Sequence, residues 1–267
     1  MLKSELVAII PDKRRIWAIS SPQGDAVRLR YLHRKISKYF KVGDVVLYLG
    51  NVMGFGPDVC GTIDELLLFR RALIAIPGVS QFDVIFLRGQ QEEMFNKLMQ
   101  IQFCPDPKEV YTWMLEHGVE QTLRSYCPND IDQLRHFPST ATELTKWVSF
   151  LRKRQSEKDG HLEYMANLKH TAYTSDEKLL FVHRGINPEL ALENQGDIFW
   201  WGCSAPFVRP EPYRQFDRVV RSVSHPEKTG VIHNEYYSTI ISGGGFDAPI
   251  HAVLFDENHQ PILSLDS

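Results

Sequence analysis

The stretch YLGNVMGFGP, residues 48 to 57, decides how this chain is read. It closes the apolar run DVVLYLG (44–50) and enters a loop with glycines at 50, 54 and 56. A short apolar run stopped by glycine reads as a buried strand. A glycine-rich loop directly after such a strand is where sheet proteins hold phosphate or metal groups. Yet Asn51, Val52, Met53 and Phe55, the side chains between these glycines, include no acid, base or nucleophile. Either the loop serves a ligand through its backbone, or it is a working site whose working side chains are gone.

Outward from that loop the chain alternates strands and helices. RIWAIS (15–20) is strand-like, and RLRYLHRKISKYF (28–40) places Leu29, Leu32, Ile36 and Phe40 on one helical face. TIDELLLFRRALIAI (62–76) reads as a helix opened by a capping box, Thr62 with Glu65. DVIFLRG (83–89) is the next strand and QEEMFNKLMQ (91–100) the next helix. This order implies right-handed parallel crossovers and binding groups at the carboxyl ends of the strands. From about 105 to 170 the pattern becomes a run of helices, an insertion in which Trp113 and Trp147 are aromatic candidates for a core or a binding face. KLLFVHRGINP (178–188) returns to a strand and loop. DRVVRSVSH, YYSTIIS, PIHAVLFD and QPILSL then suggest a second, more antiparallel sheet. The expectation is one α/β domain over residues 1–267 with a helical insertion.

Composition narrows the function classes. The 267 residues are 43% hydrophobic and 24% charged, the balance of a globular protein. With 30 Lys+Arg against 33 Asp+Glu, the net charge of -3 argues against nucleic acid as a partner. The basic clusters PDKRRIW and LRKRQ read as solvated faces. Cys60, Cys104, Cys127 and Cys203 are scattered, with neither disulfide-framework nor zinc spacing. The N-terminal apolar run is short and soon broken by Pro11, and no run reaches the length of a membrane span. These features lead to the expectation of a cytoplasmic protein without a membrane partner.

The strand-end loops, in order, are AISSPQGD, YLGNVMGFGP, FLRGQQEEM, FVHRGINP and VSHP. In order and spacing they resemble the phosphoprotein phosphatase branch of the calcineurin-like metallophosphoesterases, with its motifs GDxHG, GDxxDRG, GNHE, HxG and GH. WMLEHGVEQTLRSY (113–126), FVHRGINPELALENQGDIFWW (181–201) and IISGGGFDAPIHAV (240–253) are similar to segments of the small bacterial members, so the resemblance spans nearly the whole chain. It implies a sandwich of two mixed β-sheets flanked by helices, and in active relatives two divalent metals such as manganese, iron or zinc.

The same resemblance identifies what has changed. Ser21 stands where the first motif has aspartate, and Gln23 where it has histidine. Asn51 replaces the aspartate that bridges both ions, and Gln90 replaces the third motif's asparagine. Only His183 and His225 match their motif positions. Gln91 takes the place of the leaving-group acid, Gly54 that of its acidic partner, and Phe55 that of the phosphate-clamping arginine. Two dications roughly 3.5–4 Å apart need anionic ligands to offset their repulsion, and all six ligand positions here are neutral. Asp25 is nearby, but its place in the motif puts it at the start of the following helix.

His183 and His225 are therefore either inherited residues now hydrogen-bonded in a pocket, or, with Asn51, a thin ligand set for a single weak metal. Arg88 and Arg184 are candidate anion-binding residues, with solvent exposure or a local ion pair as the alternative for Arg184. The expectation is a catalytically inactive phosphatase-like protein without cofactors, acting as a binding or regulatory module for a protein partner or a small anionic ligand. The alternative is a metallophosphatase with residual or altered activity on phosphoprotein or nucleotide substrates.

Overall fold

The computed structural model describes residues 4–129, 137–202, 211–225, 227–243 and 247–267. Cys203, most of the 129–137 helical pattern and part of the SGGG stretch fall outside these residues. Eleven strands run through the described chain. They are β1 (Val7–Ile10), β2 (Ile16–Ile19), β3 (Val45–Tyr48), β4 (Val84–Phe86), β5 (Thr171–Thr174), β6 (Leu179–Val182), β7 (Arg218–Ser224), β8 (Gly230–His233), β9 (Tyr237–Ser242), β10 (His251–Phe255) and β11 (Pro261–Asp266). They form two mixed sheets, ordered β11-β10-β2-β3-β4 and β1-β5-β6-β7-β9-β8.

Three strands of the first sheet, β2, β3 and β4, are parallel neighbours joined by α1 (Ala26–Ser37) and α2 (Val59–Ile74). A third helix, α3 (Gln90–Leu98), follows β4. Alternation along β2 shows the layering. Ile16 and Ala18 face the other sheet, in a core with Leu47, Ile85, Phe181, Val220 and Phe255. Trp17 and Ile19 face the helices, in a core with Leu32, Tyr48, Leu66 and Phe95. A third cluster, with Leu180, Val182, Phe199, Phe216 and Val219, covers the outer face of the second sheet. Every strand of the parallel unit is buried on both faces, which is why its sequence is continuously apolar rather than alternating.

The expected antiparallel second sheet is corrected in two ways. β10 and β11 join the first sheet instead, antiparallel to β2 and to one another. In the second sheet β6–β7 and β7–β9 are parallel pairs. Local pattern cannot reveal this, because parallel and antiparallel neighbours present the same apolar residues to a core.

Two further expectations change. The cap of α2 is Asp58, whose carboxylate accepts from the Gly61 N–H at 2.8 Å, so Thr62 and Glu65 lie inside the helix. Glu65 instead accepts from Arg30 at 2.8 Å and lies 2.9 Å from the His33 ring. The PDKRRIW cluster is no solvated face either: Arg14 pairs with Asp83 at 2.9 Å and Arg15 with the buried Asp44 at 2.6 Å. Asp44 also takes the Trp17 indole N–H at 3.1 Å, tying the start of β2 to that of β3.

The stretch 105–170 is helical as read, with α4 (Pro107–Met114) and α5 (Glu120–Tyr126) joined by a wide turn at Leu115–Val119, then Ala141–Ser156 and His161–Ala166. Trp147 packs on Tyr111, whereas Trp113 is exposed and stacks on His117. Among the described residues no helix is long and apolar enough to cross a membrane. Because Asp58 satisfies an N-terminal amide of α2, Asp58→Ala should lower unfolding stability by about 1 kcal/mol in a urea titration.

Candidate functional site at the strand ends

The loops after β2, β3, β4, β6 and β7 meet at one end of the sandwich, and a single carboxylate ties two of them together. Glu92, in the first turn of α3, has no exposed surface. One of its oxygens accepts from Asn51 N–H and Gly89 N–H, each at 2.9 Å, and the other from Met53 N–H at 3.0 Å and the Tyr164 hydroxyl at 3.3 Å. Burial pushes its pKa up, against the opposing pull of the three amides. Gly89 has to be glycine here, since a Cβ would come within 2.3 Å of both Asn51 N and Oδ1.

The loop after β2 is laced to the same scaffold through its backbone. Gln23 N–H donates to Asn51 O at 2.8 Å, Gly24 N–H to Val52 O at 2.8 Å, and Gly56 N–H to Gln23 O at 2.6 Å. These bonds hold Gln23 and Asn51 at φ 55 and 52, a left-handed conformation that non-glycine residues adopt at some cost. Gly50, at φ 88, brings the strand end so close to the next loop that a Cβ would sit 2.8 Å from Gly89 N and 2.9 Å from His183 Nδ1.

On this scaffold the residues expected at the site are brought together, and most of their polar atoms are already used. The Ser21 hydroxyl lies 3.0 Å from that of Ser222, which also accepts from Ser21 N–H. Ser242 donates to Ser21 O at 2.6 Å. Gln23 Nε2 donates to Ser224 at 2.8 Å, and Gln91 Nε2 to His117 O at 2.8 Å. The Asn51 side-chain oxygen accepts from Gln91 N–H at 3.0 Å. Gln90 opens α3, half-buried, and Asp25 caps α1, accepting from Arg28 N–H at 3.0 Å.

Gly54 explains how Gln23 fits. A Cβ at residue 54 would stand 1.9 Å from Gln23 Oε1 and 3.3 Å from Gln91 Cγ. The space that a side chain at 54 would take is thus filled by the amide of Gln23. The carbonyl oxygens of Gln23 and Gln91 are buried and have no hydrogen-bond donor among the described residues.

The two histidines differ in tautomer. His183 is buried, and its Nδ1–H donates to Leu49 O at 2.6 Å, which leaves a lone pair on Nε2. Burial, with the Arg184 charge beside it, lowers its pKa to about 4. His225 Nδ1 accepts from Glu227 N–H at 3.1 Å, so in the neutral ring the proton sits on Nε2. Only one of the two imidazoles therefore presents a lone pair on Nε2.

Arg88 and Arg184 part company. Arg88 donates to Glu93 at 2.8 Å and lies over the Trp200 ring, which corrects its expected role as a free anion binder. Arg184 runs against Gly202, and its guanidinium has no hydrogen-bond acceptor among the described residues.

Glu92 and the serines at 222, 224 and 242 were not anticipated. Glu92 follows Gln91 directly in the quoted loop, and the alternating serines of RSVSH were the signal that one face of β7 is polar inside the fold.

Among solved structures, a crystal structure of a candidate diadenosine tetraphosphatase superposes over 98% of this chain and 97% of its own length, with a TM-score of 0.55 and 15% identity. A cold-active protein tyrosine phosphatase superposes over 98% of this chain and 82% of its own, with a TM-score of 0.51 and 14% identity. No protein-family model and no curated protein matches the sequence. The chain has the calcineurin-like phosphoesterase fold. At these identities the likeness is one of fold, and the chemistry of the site has to be argued from its own residues.

The resemblance to the metallophosphoesterases implies two divalent ions at the strand ends, and the residues present do not fit that group. The six relict positions supply no negative charge, the Asn51 oxygen is engaged by Gln91 N–H, and His225 holds its proton on Nε2. Among the described residues no three His, Cys, Asp or Glu side chains stand together as a metal-ligand group. Amide and hydroxyl dipoles do not replace carboxylates between two dications.

Glu92→Gln would set an amide N–H₂ against backbone N–H donors. It should cost about 2 kcal/mol, seen as a lower melting temperature. Acid should also weaken the fold. Unfolded imidazole takes up a proton below about 6.5, whereas His183 resists until about 4. Stability should therefore fall as pH drops through that window, by about 3 kcal/mol from this residue at its lower end. Urea midpoints measured against pH should show that slope, and His183→Asn should flatten it.

Proposed function

We propose that this chain is a phosphoesterase-fold protein that acts by binding, without two-metal hydrolysis. It is in this sense a pseudophosphatase, and its ligand is a protein partner or a small anionic molecule. The observation that carries this reading is the interlocked neutral donor set at the strand ends. Ser21 is bonded to Ser222, Gln23 to Ser224, and Asn51 to the Gln91 amide. The space at Gly54, where the general acid's partner belongs, is taken by Gln23.

A dinuclear phosphatase needs a metal-bound hydroxide of lowered pKa and an acid for the leaving group. The side chains here supply neither an anionic cage for the ions nor an acid, because Gln91 has no transferable proton at neutral pH. What this chain's residues do is hold five loops in a fixed register around a compact polar core. That is the property a recognition surface requires.

One observation favours a second reading. His183 keeps its Nε2 lone pair in the tautomer that ligates metals. This supports a single weakly held divalent ion with residual phosphatase activity on a phosphoprotein or nucleotide.

Elemental analysis of the purified protein, with p-nitrophenyl phosphate turnover measured with and without added manganese, separates the two. Metal content well below one per chain and turnover at the level of the blank are the expected results. Stoichiometric metal with turnover abolished in His183→Ala would establish the second reading in place of the first.

A further inference from the structure

Four strands end the two sheets, β11 and β4 in the first, β1 and β8 in the second. An end strand offers a row of backbone groups to any other extended chain, and proteins block it with charge, proline, a bulge or a cover. β11 opens with Pro261, and its ladder with β10 is irregular at Phe255. β8 holds Gly230, a poor strand former, and the polar His233. β4 is covered where Phe86 O accepts the Lys169 N–H at 2.8 Å. β1 is different. Its residues, VAII, carry no charge and no proline, and its pairing with β5 shows no bulge.

The ends of β1 fix which of its backbone groups face outward. Leu6 O accepts from His170 N–H and Ile10 O from Ser175 N–H, each at 2.7 Å, so Leu6, Ala8 and Ile10 point their backbone groups at β5. Those of Val7 and Ile9 point away and have no partner among the described residues. A cleft of about 520 Å³ runs along this edge, with β1 on one side and β4 with Phe82 on the other. Its rim is apolar, Ile9 being 60% exposed and Phe82 76%. The outward groups are self-complementary. About a two-fold axis at Ala8, an antiparallel second copy sets its Ile9 against Val7 and its Val7 against Ile9, and each pair exchanges both N–H···O bonds. Ala8 falls where the two chains come closest, and its small side chain suits that approach. Charge agrees with the same pairing. Glu5 precedes the strand and Lys13 follows it, both exposed and neither with an ion pair among the described residues. Antiparallel pairing lays the start of one β1 beside the end of the other, acid towards base, and symmetry repeats the match. Asp12, the acid next to Lys13, is turned to the Ser175 hydroxyl.

We propose that β1 is the interface for a second copy of this chain: two β1 strands pair antiparallel about a two-fold axis at Ala8 and join the second sheets of two molecules into one. The pairing covers Ile9 with Val7 of the second copy, a cross-strand contact between β-branched side chains. The exposed ring of Phe82, on the other wall of the cleft, adds apolar surface beside it. A peptide of one charge sign would leave Glu5 or Lys13 unmatched, whereas a second copy matches both. Each molecule has one such edge, so assembly closes at two. The interface goes beyond the binding reading above and stands independently of it, since β1 carries none of the loops at the strand-end site.

The test is the molar mass of the full chain by sedimentation velocity and light scattering, from low to high micromolar concentration. The expected result is the mass of two chains, falling towards one on dilution. Ile9→Lys sets two ammonium groups on diagonal positions of the paired strands and should weaken the dimer roughly tenfold or more. Ile9→Pro removes an outward N–H without touching any bond to β5, and should act the same way. The Ile9 side chain is mostly exposed, so both variants should keep the circular dichroism of the unchanged protein. Hydrogen exchange on the unchanged protein reads the same bonds and serves if neither variant folds: the Val7 and Ile9 amides should exchange more slowly at high concentration than at low. Two results would overturn the proposal. One is the mass of a single chain at every concentration, which leaves the edge to another extended partner. The other is a dimer that survives both Ile9 variants while its β1 amides exchange at one rate throughout, which places the interface elsewhere.

Discussion

The Glu92 carboxylate is the constraint on which the strand-end region depends. One buried anion accepts three backbone amides from two loops and a tyrosine hydroxyl from the helical insertion. A buried carboxylate persists only where its lone pairs are satisfied. Asn51, Met53 and Gly89 therefore cannot move independently, and through Asn51 O the loop carrying Gln23 joins the same unit. The glycines at 50 and 89 are the geometric counterpart, allowing backbones to approach more closely than any side chain permits. A scaffold this tightly determined keeps its shape when the side chains mounted on it change.

That separation of scaffold from side chains accounts for what could be read in the sequence. The strands at 15–20, 44–50 and 83–89 announced themselves because burial on both faces makes them continuously apolar. The five loops were legible because glycine must stand where backbones touch. The sheet to which β10 and β11 belong was not legible, since strand pairing is decided by distant partners rather than by local pattern. The cap of α2 was misplaced by four residues, because Thr62 and Glu65 imitate a capping box while Glu65 is committed to Arg30 and His33. At the site, the loops that carry Ser21, Gln23, Asn51, Gln91 and His183 were legible as strand ends. Which atoms they had left to offer was beyond the sequence. The tautomer of His225 is set by the Glu227 amide, and the neighbour of Arg184 is an arginine on the adjacent strand.

Charge is the currency in which this site differs from the two-metal pattern its fold implies. Two dications and an anionic cage would make the strand ends strongly polar. Here the side chains at those positions are neutral hydroxyls and amides, most of them bonded to one another. Arg184, next to His183 in the chain, is a partly buried cation without a hydrogen-bond acceptor among the described residues.

The contact between Gln23 and Gly54 couples the two positions. While Gln23 keeps its bond to Ser224, its amide oxygen occupies the volume that any side chain at residue 54 would claim, and the two are mutually exclusive. Any side chain introduced at 54 therefore requires the Gln23 amide to leave Ser224, so substitutions at 23 and 54 are coupled and their effects on stability should not add.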